Sequence, residues 1–131
     1  MEQETKDNLH TKTQDATGYK RLVVYQKAYM LSLNIYHTTR SFPKEELFGL
    51  TSQMRRCAVS VAANIVEGYG RRTSADKLQF YFISRGSLNE LEYHIDLAHD
   101  LNYLPLQERR KLQELRGDVG RLLNGFMRTV S

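Results

Sequence analysis

The chain has only two prolines, Pro43 and Pro105. Proline in a helix interior removes a hydrogen bond and clashes with the preceding turn, so these two positions mark where long helices end. Elsewhere apolar residues recur at spacings of three and four, and no stretch alternates with the period of two that a half-buried strand needs. This pattern predicts an all-α chain.

The first helix is expected from Tyr19 to Thr39, with Val24, Ala28, Leu31 and Ile35 on one line and Tyr25, Tyr29 and Tyr36 widening it. "SFPKEELFG" interrupts it, Pro43 opening a short turn and Gly49 acting as a stop. The second helix, Leu50 to Glu67, carries Leu50, Met54, Cys57, Val61 and Ile65, backed by Ala58 and Ala62. Gly68 or Gly70 is expected to end it in the left-handed conformation. Thr73 caps the third helix and Asp76 favours its positive end. Its line reads Leu78, Phe82, Arg85, Leu88, Leu91, Ile95 and Ala98, and Asn102 and Pro105 close it.

The fourth helix, Leu106 to Thr129, repeats Leu112, Leu115, Val119, Leu122 and Phe126 like a bundle seam. Gly117, Gly120 and Gly125 each weaken it by ~1 kcal/mol relative to alanine, which suggests a close neighbour. Short connections make consecutive helices antiparallel. The expectation is an up-down-up-down four-helix bundle over residues 19–131, preceded by a flexible polar tail over residues 1–18. Tyr25, Tyr29, Phe80, Tyr81 and Phe82 exceed what one slim bundle hides, which points to self-association.

The chain is long enough for one domain with a modest core. A single cysteine, Cys57, excludes an intrachain disulfide and a multi-cysteine zinc site. The first twenty residues lack the apolar run of a secretory signal, and no stretch approaches the ~20 apolar residues of a membrane span. The expectation is a cytoplasmic protein with no membrane partner. A net charge of +4 and a pI near 9.3 permit contact with RNA or DNA without demanding it.

Catalytic chemistry finds no support in the spacing. Cys57 lies on an apolar line between Met54 and Val61 and reads as a buried structural thiol. His94 and His99 are five apart and point to different helix faces, and His10 lies in the tail. "DLAH" places Asp96 and His99 on one face, but a di-iron bundle needs a second such pair. Glu92, Asp96 and Asp100 read instead as an acidic face opposite Arg109, Arg110 and Lys111. "EGYG" lacks the lysine and preceding strand of a phosphate loop, and Ser60, Ser84 and Ser87 sit within helices, not on an elbow. No metal, cofactor or enzymatic activity is expected.

Beside the core line of the second helix runs a polar stripe of Arg56, Ser60, Asn64 and Glu67. The third helix adds Arg85, Ser87 and Glu90. An arginine on a core line must find an acid or carbonyl, so these seven residues suggest a buried network fixing helix packing or a subunit interface. Arg55, Arg56, Arg71, Arg72 and Lys77 suggest a phosphate-binding surface, with Tyr69 available to stack on a base. Both readings stand at this point.

The stretch "LTSQMRRCAVSVAANIVEGYGRRTSADKLQFYFISRGSLNEL", with "YQKA" and "FPKEELFGL" before it, resembles the four-helix-bundle family encoded in intervening sequences of bacterial 23S ribosomal RNA genes. The matching positions are Arg56, Ala58, Ser60, Asn64, Ile65, Glu67, Gly68, Arg72, Arg85, Gly86, Ser87 and Glu90, within a similarity over about residues 19–128. Cys57 departs from the pattern, where a small alanine is usual. The resemblance implies an antiparallel four-helix bundle assembling as a ring-like homopentamer. A more distant similarity links it to the accessory protein of diversity-generating retroelements, a pentameric barrel that works with a reverse transcriptase and RNA. No enzymatic activity attaches to the family.

The expected function is therefore a non-enzymatic oligomeric scaffold or adaptor contacting structured RNA, with Arg55, Arg71, Arg72 and Lys77 as the contact candidates. The alternative is a protein-protein interaction module that binds no nucleic acid.

Overall fold

A computed structural model describes residues 17–130, so the expected tail, apart from Thr17 and Gly18, lies outside the described residues together with His10. Four long helices account for most of the chain: α1 (Val23–Thr39), α2 (Leu50–Tyr69), α3 (Ser74–Asp100) and α4 (Leu106–Val130). Short 3-10 turns at Gly18–Arg21 and Lys44–Glu46 precede α1 and α2. α1 packs on α2, α2 on α3, α3 on α4, and α4 returns to α1. The described residues contain no strand, and the chain forms an all-α four-helix bundle.

The helix ends follow from local chemistry. Thr73 Oγ1 accepts from the Asp76 amide at 3.1 Å, as the sequence predicts for a cap. At the other end of α3, Asn102 takes the left-handed conformation at φ 66°. There the Tyr103 amide donates to Ala98 O and the Asn102 amide to His99 O, each at 2.9 Å. This paired arrangement satisfies two carbonyls that the helix leaves open.

The end of α2 differs from expectation. Gly70 stays right-handed at φ −81°, so neither terminal glycine supplies a left-handed cap. Gly68 serves a different purpose: a Cβ there would lie 2.5 Å from Cε1 of Tyr81.

That contact also resets the face of α3. Its buried line is Tyr81, Ser84, Leu88, Leu91, Ile95 and Ala98. Phe82 is 51% exposed and Arg85 is exposed. The expected line through Phe82 and Arg85 is one residue out of register in its first half, because the space over Gly68 admits the Tyr81 ring. Ser84, small and fully buried, donates to Val61 O at 2.8 Å and lets α2 and α3 approach closely.

In α4 the buried positions are Leu112, Val119, Leu123 and Met127, while Leu115, Leu122 and Phe126 pack at the core's edge. Its glycines do not serve close packing within the chain: a Cβ on Gly120 would meet nothing within 4 Å, and on Gly117 or Gly125 only arginine side chains. No helix among the described residues is long and apolar enough to cross a membrane.

Candidate functional site

α2 and α3 run antiparallel, so residues three apart on one meet residues three apart on the other in the reverse direction. Ser60 meets Ser87 at 2.8 Å between hydroxyl oxygens, and Cys57 meets Glu90 at 3.1 Å. These pairs lie along a groove of about 710 Å³ bounded by the α1 residue Tyr36, the α1–α2 connection and the two facing helices. Leu47, Phe48, Arg55 and Arg56 also line it. Phe48 is 93% exposed, an unusual position for a phenylalanine.

Arg55 is held in place from the α1 side. Its Nε donates to Thr39 Oγ1 at 3.0 Å, and its guanidinium lies 4.7 Å from the centroid of Tyr36. Thr39 is itself fixed, donating to Ile35 O at 2.7 Å. The terminal nitrogens of Arg55 make no hydrogen bond among the described residues. Arg56, one position on, is exposed along the same groove.

The expected seven-residue network separates into parts. Asn64 Nδ2 donates to Ser60 O at 2.8 Å and to Ser60 Oγ at 3.0 Å, so Asn64, Ser60 and Ser87 form one polar chain. Glu90 belongs to a second group with Cys57 and His94. Glu67 is exposed and pairs with Arg71 at 3.4 Å. Arg85 is no member of a buried network. It is exposed, reaches Asn124 Oδ1 at 3.4 Å and lies 4.8 Å from the Phe82 centroid. Water solvates it, so it needs neither Glu67 nor Glu90 as a buried partner.

The basic candidates also divide. Arg55 and Arg56 sit in the groove, whereas Arg71 and Arg72 follow the end of α2, roughly 24 Å away at the helical rise of ~1.5 Å per residue. Lys77 donates to Tyr69 O at 2.8 Å and lies 5.5 Å from the Tyr69 centroid. Its ammonium thus closes the carbonyl end of α2. Arg71 lies 4.6 Å from the centroid of Phe80. Arg72 is exposed and makes no ion pair among the described residues.

The acidic face of α3 is paired only in part as its charges predict: Arg109 takes Asp96, but Glu92 pairs with Arg116 in place of Arg110 or Lys111. Arg109 Nε donates to Asp96 Oδ1 at 2.8 Å, and Arg116 Nη2 to Glu92 Oε2 at 2.7 Å. His99 Nδ1 lies 2.8 Å from Leu104 O. Asp96 and His99 are each occupied separately and do not form a ligand pair.

The group that spacing did not reveal is Cys57, Glu90 and His94. Cys57 Sγ donates to Glu90 Oε2, and His94 Nε2 lies 3.6 Å from Glu90 Oε1. Burial, then the bond to Glu90, pushes the thiol up to about 12. The donated thiol hydrogen bond holds the Glu90 carboxyl below its ordinary range, with the nearby His94 adding to it. Glu90 and His94 are four apart on one helix, a visible signal. Cys57 joins them only through the register of the hairpin.

Comparison with known proteins agrees with this architecture. A family model described as "23S rRNA-intervening sequence protein" matches residues 20–125. No curated protein matches the chain. A solved structure from Bacteroides thetaiotaomicron, described as a protein with unknown function from the S23 ribosomal protein family, superposes with a TM-score of 0.75 at 22% identity. The match covers 81% of this chain and 96% of that one. At that identity the likeness speaks to the fold.

Proposed function

The chain belongs to the 23S rRNA-intervening sequence protein family, and from that premise we propose that it is a non-enzymatic oligomeric scaffold that contacts structured RNA in the cytoplasm. The observation that carries this reading is the groove edge where Arg55 and Arg56 stand beside Tyr36 and Phe48. Guanidinium forks match phosphate oxygens, and exposed aromatic faces accept unstacked bases. Arg55 is already positioned by Thr39 and Tyr36, so less side-chain freedom is lost on binding. Arg72, at the far end of α2, offers a second phosphate contact.

Self-association multiplies this modest charge. Tyr29, Met30 and Leu33 on α1 are exposed. In a ring-like homopentamer these apolar residues are covered and the groove recurs at every protomer, so weak contacts add as avidity.

A mobility-shift titration with structured ribosomal RNA fragments tests the binding. The expected result is retention at low salt that weakens steeply as salt rises, and a clear loss in Arg55→Ala/Arg56→Ala. Absence of any shift at low salt refutes RNA contact and leaves a protein-interaction module as the surviving reading. Light scattering tests the assembly: a monomeric mass for the purified chain refutes the ring.

A further inference from the structure

We propose that Cys57, Glu90 and His94 form a zinc-binding site, with the thiolate sulfur, a carboxylate oxygen and an imidazole nitrogen as three protein ligands and a fourth position facing the groove. One ligand atom from each of the three lies within 4.8 Å of the others. The carboxylate already stands between its neighbours, 3.1 Å from the sulfur and 3.6 Å from His94 Nε2. Ligands of a tetrahedral zinc, at about 2.0–2.3 Å from the metal, stand roughly 3.3–3.7 Å from each other. The site therefore needs the sulfur and the imidazole to close by no more than about 1 Å, a movement within side-chain torsions.

His94 supplies the independent observation. Only 9% of the residue is exposed, yet Nδ1 has no hydrogen-bond partner and Nε2 has only the long 3.6 Å contact to Glu90 Oε1. A buried polar atom without a partner is costly and calls for a physical account. A metal bound through Nε2 would give that nitrogen a close partner in place of the long contact to Glu90. Glu90 and His94, four apart on α3, project from one face, and the hairpin register brings Cys57 from α2 to meet them.

The donor set selects the ion. Thiolate and imidazole are ligands for zinc and other late first-row metals, whereas calcium and magnesium favour sets made entirely of oxygen. Binding breaks the sulfur–hydrogen bond and forms a sulfur–zinc bond, and the proton leaves to solvent. The thiolate and carboxylate together balance the two positive charges of the ion. Arg56 in the same groove opposes the ion from the solvent side. Cys57 and Glu90 both line the groove, which supplies an entry path and leaves room for water at the fourth position.

The test uses the untagged full chain, stripped with a chelator and titrated with zinc against a chromogenic competitor. The expected stoichiometry is one zinc per chain. Cobalt in place of zinc is expected to give a thiolate charge-transfer absorption. Cys57→Ala is expected to abolish that absorption and weaken zinc binding by at least about tenfold, with Glu90→Gln and His94→Gln also weakening it. Circular dichroism checks the fold of each variant. Should His94→Gln unfold, Cys57→Ala, which places a small residue in a tightly packed helix, still decides the matter. His10→Ala is expected to leave binding unchanged. Substoichiometric zinc, a cobalt spectrum without thiolate absorption, or undiminished zinc binding in Cys57→Ala overturns the assignment.

Discussion

Tyr81 packs its ring against the bare backbone of Gly68, so closely that a Cβ on the glycine would stand 2.5 Å from Cε1 and 2.9 Å from Cδ1. Tyr81 is only 1% exposed, which leaves the ring little room to retreat. Gly68→Ala should therefore displace the ring or part α2 from α3. The expected loss is about 1–3 kcal/mol, the usual cost of overpacking a core. Urea unfolding measures it, and an unchanged midpoint would show that the helices yield without strain.

Gly120 predicts the opposite sign. It lies inside α4, and an added Cβ would meet nothing within 4 Å. Its φ lies outside the left-handed region, so alanine fits the backbone. Gly120→Ala should stabilise the chain by about 0.4–1 kcal/mol, largely by restricting the unfolded state. If thermal stability instead falls together with assembly mass, a neighbouring protomer lies against α4 at this point.

The contrast between these glycines shows where the sequence is legible. The four helices, the Thr73 cap and the Asn102 terminus follow from periodicity and local hydrogen bonding. The α1 line of Val24, Ala28, Leu31 and Ile35 is buried as its spacing predicts. The first half of α3 was less legible because two registers offer similar hydrophobicity there. The decision between Phe82 and Tyr81 comes from a glycine thirteen residues earlier, on another helix. The same holds at the candidate site. Asn64 and Ser60 lie one turn apart and are local, whereas Cys57 meets Glu90 only after the hairpin closes. A face one residue out also places Arg85 inside, where only a buried network satisfies its charge.

Arg85 provides a direct check on that register. Its hydrogen bond to Asn124 is long at 3.4 Å, and its guanidinium lies in solvent beside Phe82. Arg85→Ala should change stability by no more than about 0.5 kcal/mol, as expected for a surface position. A charged residue paired in the core would cost about 3–5 kcal/mol when its partner is left alone. Denaturant unfolding separates the two outcomes. If stability holds while the assembly dissociates, Arg85 acts between protomers.

The alkaline limit of stability should depend on Tyr103. Its hydroxyl donates to Glu46 Oε2 at 3.0 Å. The other oxygen of the same carboxylate accepts from the Leu50 amide at 3.3 Å, at the start of α2. Glu46 thereby joins the α3–α4 connection to the α2 terminus. The hydrogen bond to Glu46, then partial burial, then the negative charges of Glu46 and Glu45 raise the Tyr103 phenol above its ordinary value. A group raised in the folded state favours the folded protein while protonated. Its contribution is complete below the unfolded phenol value near 10, and it is lost as pH rises through the higher folded value. Melting temperature should therefore fall in the alkaline range, and Tyr103→Phe should reduce the steepness of that fall. Tyr25 and Tyr81 are also raised, chiefly by burial, so some alkaline loss should persist in the variant. Thermal melts of both proteins between about pH 8 and 11 make the comparison. Two melting curves with identical pH dependence would show that the Tyr103–Glu46 bond contributes nothing to stability.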